Sequence, residues 1–140
     1  MHDRSIRVLC VDDNYLVAEG IRIKLNLEGG FEWVGQLPDA DNLLNEVKRT
    51  HPHIVLLDLD MPGKSAFVAM REIGDSGDDV RVIVISGHVR QDLIDRAVEA
   101  GAWGYISKSE GTDSIVSAIH RVLGGEFVLG PEVRHQFQSK

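Results

Sequence analysis

Six polar residues carry most of the chemistry open to this chain: Asp12, Asp13, Asp58, Asp60, Ser86 and Lys108. Each follows closely on a short apolar run. Singly, each has an ordinary explanation as a turn residue, a helix cap, a strand end or a surface lysine. Together they suit one task. Carboxylates gathered in one place cannot all stay ionised unless a cation sits among them. An all-oxygen ligand set with room for water suits Mg²⁺, which dehydrates reluctantly and prefers few protein ligands plus waters and phosphate oxygens. Lys108 adds a compact, mobile positive charge, and Ser86 offers a hydroxyl that could follow a new oxyanion. That set fits phosphoryl transfer to a carboxylate, with the metal and the lysine neutralising the transferring group and an aspartate accepting it.

This chemistry requires a fold that brings the six residues together. Ile54-Val55-Leu56-Leu57 reads as a strand buried on both faces and stops on Asp58, with Pro62 and Gly63 turning the chain away. Ile6 to Val11 is a first strand ending at Asp12-Asp13, and Asn14 is placed to cap a helix over Tyr15 to Leu27 with Val17, Ile21 and Leu25 inward. Gly29-Gly30 ends that helix, and Phe31 to Gly35 is a short strand near an edge. The spacing predicts a helix over Asp39 to Thr50 (Leu43, Leu44 and Val47 inward) and a third helix capped by Ser65 through Phe67, Met70 and Ile73. Residues 74–79 read as an acidic, glycine-bearing loop whose charges face water, with a cation site as the weaker alternative. Arg81 to Ser86 is a fourth strand, Gln91 to Ala100 a helix, and Gly104 to Lys108 a fifth strand. Thr112 or Asp113 caps a last helix carrying Ile115, Val116, Ile119, Val122 and Leu123, which Gly124-Gly125 ends. Five β-α units in strict alternation, with the central strands apolar throughout, predict a parallel sheet with helices on both faces. Right-handed crossovers put every strand's carboxyl end on one rim, where such sheets place their ligands.

Composition limits the alternatives. The chain has 140 residues, 43% hydrophobic and 26% charged, which fits one folded domain and not a disordered segment. A net charge of −7 argues against non-specific binding to a phosphate backbone. The single cysteine, Cys10, lies in an apolar run and cannot form an internal disulfide, so a reducing compartment, the cytoplasm, is expected. No apolar run is long enough to span a bilayer, and no signal peptide is expected from the polar first residues.

From about Ile6 to Leu123 the chain resembles the receiver domain of two-component response regulators. The matching marks are Asp12-Asp13, Asp58 followed by Met61-Pro62, Ser86, and Tyr105 with Lys108. The resemblance implies a doubly wound, flavodoxin-like (βα)5 fold, a five-stranded sheet of order 2-1-3-4-5. It implies Asp58 as phosphoacceptor, Asp13 and Asp58 as Mg²⁺ ligands with the backbone carbonyl of Asp60, and Asp12 acting through water. Lys108 would bind the phosphoryl group. Ser86 would turn toward it and Tyr105 inward behind it, re-aiming the face of helix four, strand five and helix five. Asp60 and His88 flank the attack path, where side chains in this family influence dephosphorylation. The implied partners are a sensor histidine kinase and a second copy of the phosphorylated domain. The residues from Val122 to Val133 are similar to the LuxR/NarL-like subgroup, whose receiver precedes a helix-turn-helix domain. DNA would be met only through that domain, which these residues do not contain. Residues 1–125 are then the receiver and 126–140 a tail or the start of a linker. The chain would catalyse its own phosphorylation and dephosphorylation but no turnover of an outside metabolite.

Three positions depart from the common pattern of that family: Ala66 where Gly is frequent, Gly87 for Ala or Thr, and Ser109 for Pro. If the backbone at Ala66 needs a positive φ, the side chain is strained there. Two other readings compete. Asp58-Leu59-Asp60 is similar to the DxD motif of haloacid-dehalogenase-type phosphatases, although that motif opens the first strand and Pro62 stands where Thr or Val is usual. The third reading is an interaction module that never takes up phosphate.

Overall fold

The structure is a computed structural model that describes residues 5–61 and 63–138. Pro62, part of the Met61-Pro62 mark, lies outside the described residues, as do residues 1–4, 139 and 140. The elements run β1 (Ile6–Val11), α1 (Tyr15–Glu28), β2 (Phe31–Leu37), α2 (Leu43–Thr50), β3 (Ile54–Asp58), α3 (Ala66–Ser76), β4 (Arg81–Ser86), α4 (Gln91–Ala100), β5 (Gly104–Ser107), α5 (Thr112–Leu123), β6 (Val128–Leu129) and α6 (Pro131–Gln138). All strand pairs are parallel and the sheet order is β2-β1-β3-β4-β5-β6.

The expected order 2-1-3-4-5 is therefore present, but the sheet has six strands and not five. Val128 and Leu129 pair with Gly104 and Tyr105. The edge of a four-residue β5 is covered in this way, and its main-chain groups gain partners: Val128 N–H donates to Trp103 O at 3.0 Å and Gly130 N–H to Tyr105 O at 3.0 Å. A two-residue strand has too little periodicity to be read from sequence. Beyond it, residues expected as tail or linker form α6, whose Val133 is completely buried.

Alternation along the central strands separates two apolar layers. Leu9, Val11, Val55, Leu57, Val84 and Tyr105 face one side, packed under α2, α3, α4 and α6. Val8, Cys10, Ile54, Leu56, Ile83 and Ile106 face the other, under α1 and α5. Strands covered on both faces read as continuous apolar runs, which is why they could be found in the sequence.

Caps set where the loops begin. Asn14 Oδ1 accepts from Leu16 N at 3.0 Å and Val17 N at 3.3 Å, and Ser65 Oγ accepts from Phe67 N at 3.2 Å. Neither Thr112 nor Asp113 caps α5. Gly111 holds that place without a side-chain bond, and Thr112 is already helical. The second helix begins at Leu43, four residues later than expected, because Asp39 Oδ1 accepts from Asp41 N and holds that stretch in a turn. No helix among the described residues is long and apolar enough to cross a membrane.

Candidate functional site

The carboxyl ends of β1, β3, β4 and β5 lie side by side, and the residues just past them meet. Asp58 closes β3 and is 1% exposed; Asp12, directly after β1, is 2% exposed. Each carboxylate is held in the same way. Asp12 Oδ1 accepts from Asn14 N at 2.8 Å, and Asp58 Oδ1 from Asp60 N at 2.9 Å. These bonds to the amide two residues on are the local turns that Asp favours. They leave the second oxygen of each acid to Lys108, whose Nζ lies 3.0 Å from Asp58 Oδ2 and 3.2 Å from Asp12 Oδ2. Gln36 Nε2 ties the Asp12 carbonyl to β2 at 3.2 Å.

Oxygens of Asp12, Asp13 and Asp58 all lie within 4.8 Å of one another, with Asp13 exposed to solvent. Three carboxylates face one ammonium, so positive charge is short. Burial pushes the Asp12 carboxyl above the usual range, and the neighbouring Asp58 charge adds to this against the Asn14 amide and Lys108. Burial also works against the Lys108 charge, but its hydrogen bond to Asp58 and the charges of Asp58 and Asp12 outweigh that and hold the ammonium above its ordinary range. The donors are hard oxygens, one side of the cluster is open to water, and a small divalent cation would meet the charge deficit. The residues present therefore fit Mg²⁺. The Asp60 side chain is not one of this group.

The remaining candidates line the next two strands. Ser86 is fully buried at the end of β4, and its Oγ accepts from His88 N at 3.0 Å. The Lys108 N–H donates to Ser86 O at 2.8 Å, fixing the lysine's backbone against β4. Tyr105 is 1% exposed and directed inward, its hydroxyl donating to His88 O at 2.6 Å. Burial holds this phenol above its ordinary range. An inward turn of Tyr105 thus has nothing left to accomplish from this conformation. His88 Nε2 and Asp60 Oδ2 stand 3.7 Å apart, both side chains exposed over the mouth of the site. Cys10 lies beneath it, buried and unbridged, its thiol pushed up to about 12 first by burial and then by the charges of Asp12 and Asp58. It is a packing residue, not a nucleophile.

The three departures are accommodated. Among the described residues His51 is the one non-glycine with positive φ, so Ala66, which starts α3, carries no such strain. The left-handed position in that loop is Gly63, at φ +89°, where a Cβ would lie 2.7 Å from Asp41 Oδ1. At Gly87 a Cβ would meet only Asp60 Oδ2 at 3.9 Å, so the site tolerates the larger residue it lacks. Among the described residues no peptide bond is cis, the Lys108–Ser109 bond included. Ser109 Oγ instead donates to the carboxylate of Glu132 on α6.

Glu132 is the participant that sequence reading missed. It approaches the lysine loop from 23 residues away in the chain, and a lone acid on a short polar helix gives no periodic signal. Gln36 was missed for a similar reason, as one polar residue on an edge strand.

The profile of the response regulator receiver domain matches residues 8–120. Response regulator GacA of Pseudomonas aeruginosa is 33% identical over 135 residues, covering 96% of this chain and 63% of that protein. Response regulator UvrY of Escherichia coli is 34% identical over 131 residues, covering 94% and 60%. A crystal structure of a LuxR-family two-component response regulator from Aurantimonas sp. SI85-9A1 superposes with a TM-score of 0.89 at 30% identity, covering 96% of both chains. The chain spans about three-fifths of the length of these curated relatives.

Proposed function

The chain belongs to the response regulator receiver domain family, whose members are phosphorylation-controlled signalling switches, and from that premise we propose that Asp58 is its phosphoacceptor. The observation that carries this reading is the Lys108 ammonium shared between two buried carboxylates, 3.0 Å from Asp58 and 3.2 Å from Asp12, at the mouth of a parallel sheet. An Asp58 carboxylate oxygen attacks the phosphorus of the donor, the donor's leaving group departs with its bonding pair, and an acyl phosphate remains. Lys108 exchanges its bond to Asp58 for one to a phosphoryl oxygen. Ser86 releases the His88 amide and turns its hydroxyl to another.

Mg²⁺ belongs to this reading: Asp13 and Asp58 would hold it with the Asp60 carbonyl, and Asp12 would act through water. When bound it supplies charge neutralisation for the transferring group. Asp12 keeps Lys108 aimed at Asp58. The Asp60–His88 pair over the opening controls which water reaches the phosphorus and so the lifetime of the phosphoryl group. Hydrolysis returns the Asp58 carboxylate and free phosphate.

The donor in this reading is the phosphohistidine of a sensor kinase, and the chain acts on no outside metabolite. The output is transcription control through a DNA-binding domain beyond these residues, with a second copy of the phosphorylated domain as a further partner and the cytoplasm as the setting. The dehalogenase-type alternative finds little support, because its paired acids stand after the third strand and not the first.

The test is intact mass after incubation with Mg²⁺ and a small acyl-phosphate donor. A metal-dependent gain of one phosphoryl group, absent in Asp58→Asn, is the expected result. Equal gain in Asp58→Asn would refute the assignment. No gain in either protein would favour the interaction module.

A further inference from the structure

Three hydroxyl contacts at the far edge of the sheet converge on one carboxylate. Ser107 Oγ donates to Glu132 Oε1 at 2.8 Å, and Ser109 Oγ lies 2.6 Å from both Glu132 oxygens. These serines are the residues on either side of Lys108. We propose that Glu132 of α6 is a positioning residue for Lys108, holding the β5–α5 turn so that the ammonium reaches Asp58; the proposal rests on the functional reading above.

The proton count requires an acceptor oxygen at this position. Each serine has a single hydroxyl proton. Both go to Glu132, which has no proton of its own to give when ionised, and the two hydroxyls bring it below its ordinary carboxylate range, Ser109 first and then Ser107. The Ser107 oxygen is then free to accept from Ser109 N at 3.2 Å. Without Glu132, the serine oxygens, already 2.9 Å apart, bond to each other and the turn loses its outside anchor. The lysine turn then keeps only main-chain bonds, from Lys108 N to Ser86 O at 2.8 Å and from Glu110 N to Ser107 O at 3.1 Å.

Glu132 is itself well fixed. The next residue, Val133, is fully buried in the apolar layer that contains Tyr105. Glu110 Oε2 accepts from Glu132 N at 3.1 Å, placing a carboxylate at the first turn of α6, where it favours the helix dipole. Gly130, against whose Cβ position Glu110 is packed, donates its N–H to Tyr105 O. The second end of α6 reaches the other switch loop, where Gln136 Nε2 donates to Val89 O at 3.4 Å. The C-terminal helix is thus bonded to both loops that flank the phosphoryl site. It supplies the stiffness that a ring at position 109 would otherwise give.

The experiment compares the chain with Glu132→Ala, Glu132→Gln, Ser109→Ala and the Glu132→Ala/Ser109→Ala double variant. The first readout is the rate of single phosphoryl gain with Mg²⁺ and a small acyl phosphate. The second is the rate at which an amine-reactive ester labels Lys108 with no donor or metal present. Each alanine variant is expected to gain phosphate about tenfold more slowly, a fraction of what a misplacement of about 1 Å can cost, and to label faster at Lys108. Glu132→Gln, whose amide oxygen still accepts, stays near the parent rate. The double variant is no slower than its slower parent, because one contact is being removed twice. Parent-like labelling in both alanine variants, or additive effects in the double, overturns the proposal. So does a defect confined to Glu132→Ala and accompanied by loss of amide protection across α6, since the helix and not the grip would then be responsible. If the parent chain gains no phosphate, the functional reading fails, while the labelling comparison still decides the positioning role.

Discussion

Replacing Lys108 by Met removes the one cation from between two buried acids. At separations of 3.0 and 3.2 Å, and an effective dielectric near 20, each attraction is worth about 5 kcal/mol before desolvation. Lys108 keeps a quarter of its side chain in water, so much of that gross value is already offset. Breaking a buried pair by removing one partner typically costs about 3–5 kcal/mol. Protonation of one acid sets a ceiling: keeping an ordinary carboxyl neutral at pH 7 costs about 4 kcal/mol, and about 2 kcal/mol at pH 5.5. The expected loss for Lys108→Met is therefore about 3–4 kcal/mol at pH 7, falling by about 2 kcal/mol at pH 5.5. The sign follows from the proton balance. In the variant the folded acid has a raised pKa, so the folded state binds the proton more readily, and stability is lost as pH rises through that window. Urea unfolding in a chelator at the two pH values measures both quantities, and added Mg²⁺ should restore more stability to the variant than it adds to the parent. A loss below about 1 kcal/mol at pH 7, or one that does not change with pH, would refute the account of one ammonium holding two buried carboxylates.

Other outcomes follow from the same geometry. His53 Nδ1 accepts from Arg7 N at 2.9 Å, and burial, then the Arg7 charge, hold this imidazole below its ordinary range. The unfolded chain therefore binds the proton more readily; stability falls as pH drops below the ordinary imidazole range, and His53→Gln should flatten that part of the urea-midpoint profile. Val133→Asp buries a charge with no partner and should undock α6, seen as lost amide protection over residues 132–136 while β1 and β3 to β5 stay protected. Gly130→Ala would place a Cβ 2.5 Å from Glu110 Oε2; it should displace Glu110 and loosen the first turn of α6, lowering the urea midpoint. Asp12→Asn should weaken Mg²⁺ binding yet raise the stability of the metal-free fold, since it deletes a charge that burial disfavours; a lower metal-free midpoint would count against the charge deficit described for the site.

The sequence by itself determined the central sheet and its rim. Runs such as Ile54–Leu57 and Val82–Ile85 are apolar throughout because both faces are covered, and parallel connection then leaves Asp12, Asp58, Ser86 and Lys108 little choice but to meet. The caps at Asn14 and Ser65 were legible because an N-cap bond is local, spanning two or three residues. What the tertiary structure decided lies at longer range. The sixth strand exists because the exposed edge of β5 needs partners, and its two residues carry no pattern of their own. Tyr105 is inward because the His88 carbonyl, 17 residues back, is there to receive it. The absence of strain at Ala66 depended on where the loop placed its left-handed residue, which proved to be Gly63. Glu132 was invisible as a site residue because its worth is set by Ser107 and Ser109, brought to it by a fold-back that follows α5. Local chemistry and periodicity are written in neighbouring residues, whereas contacts between a strand edge and the chain that returns to cover it form only when packing makes them.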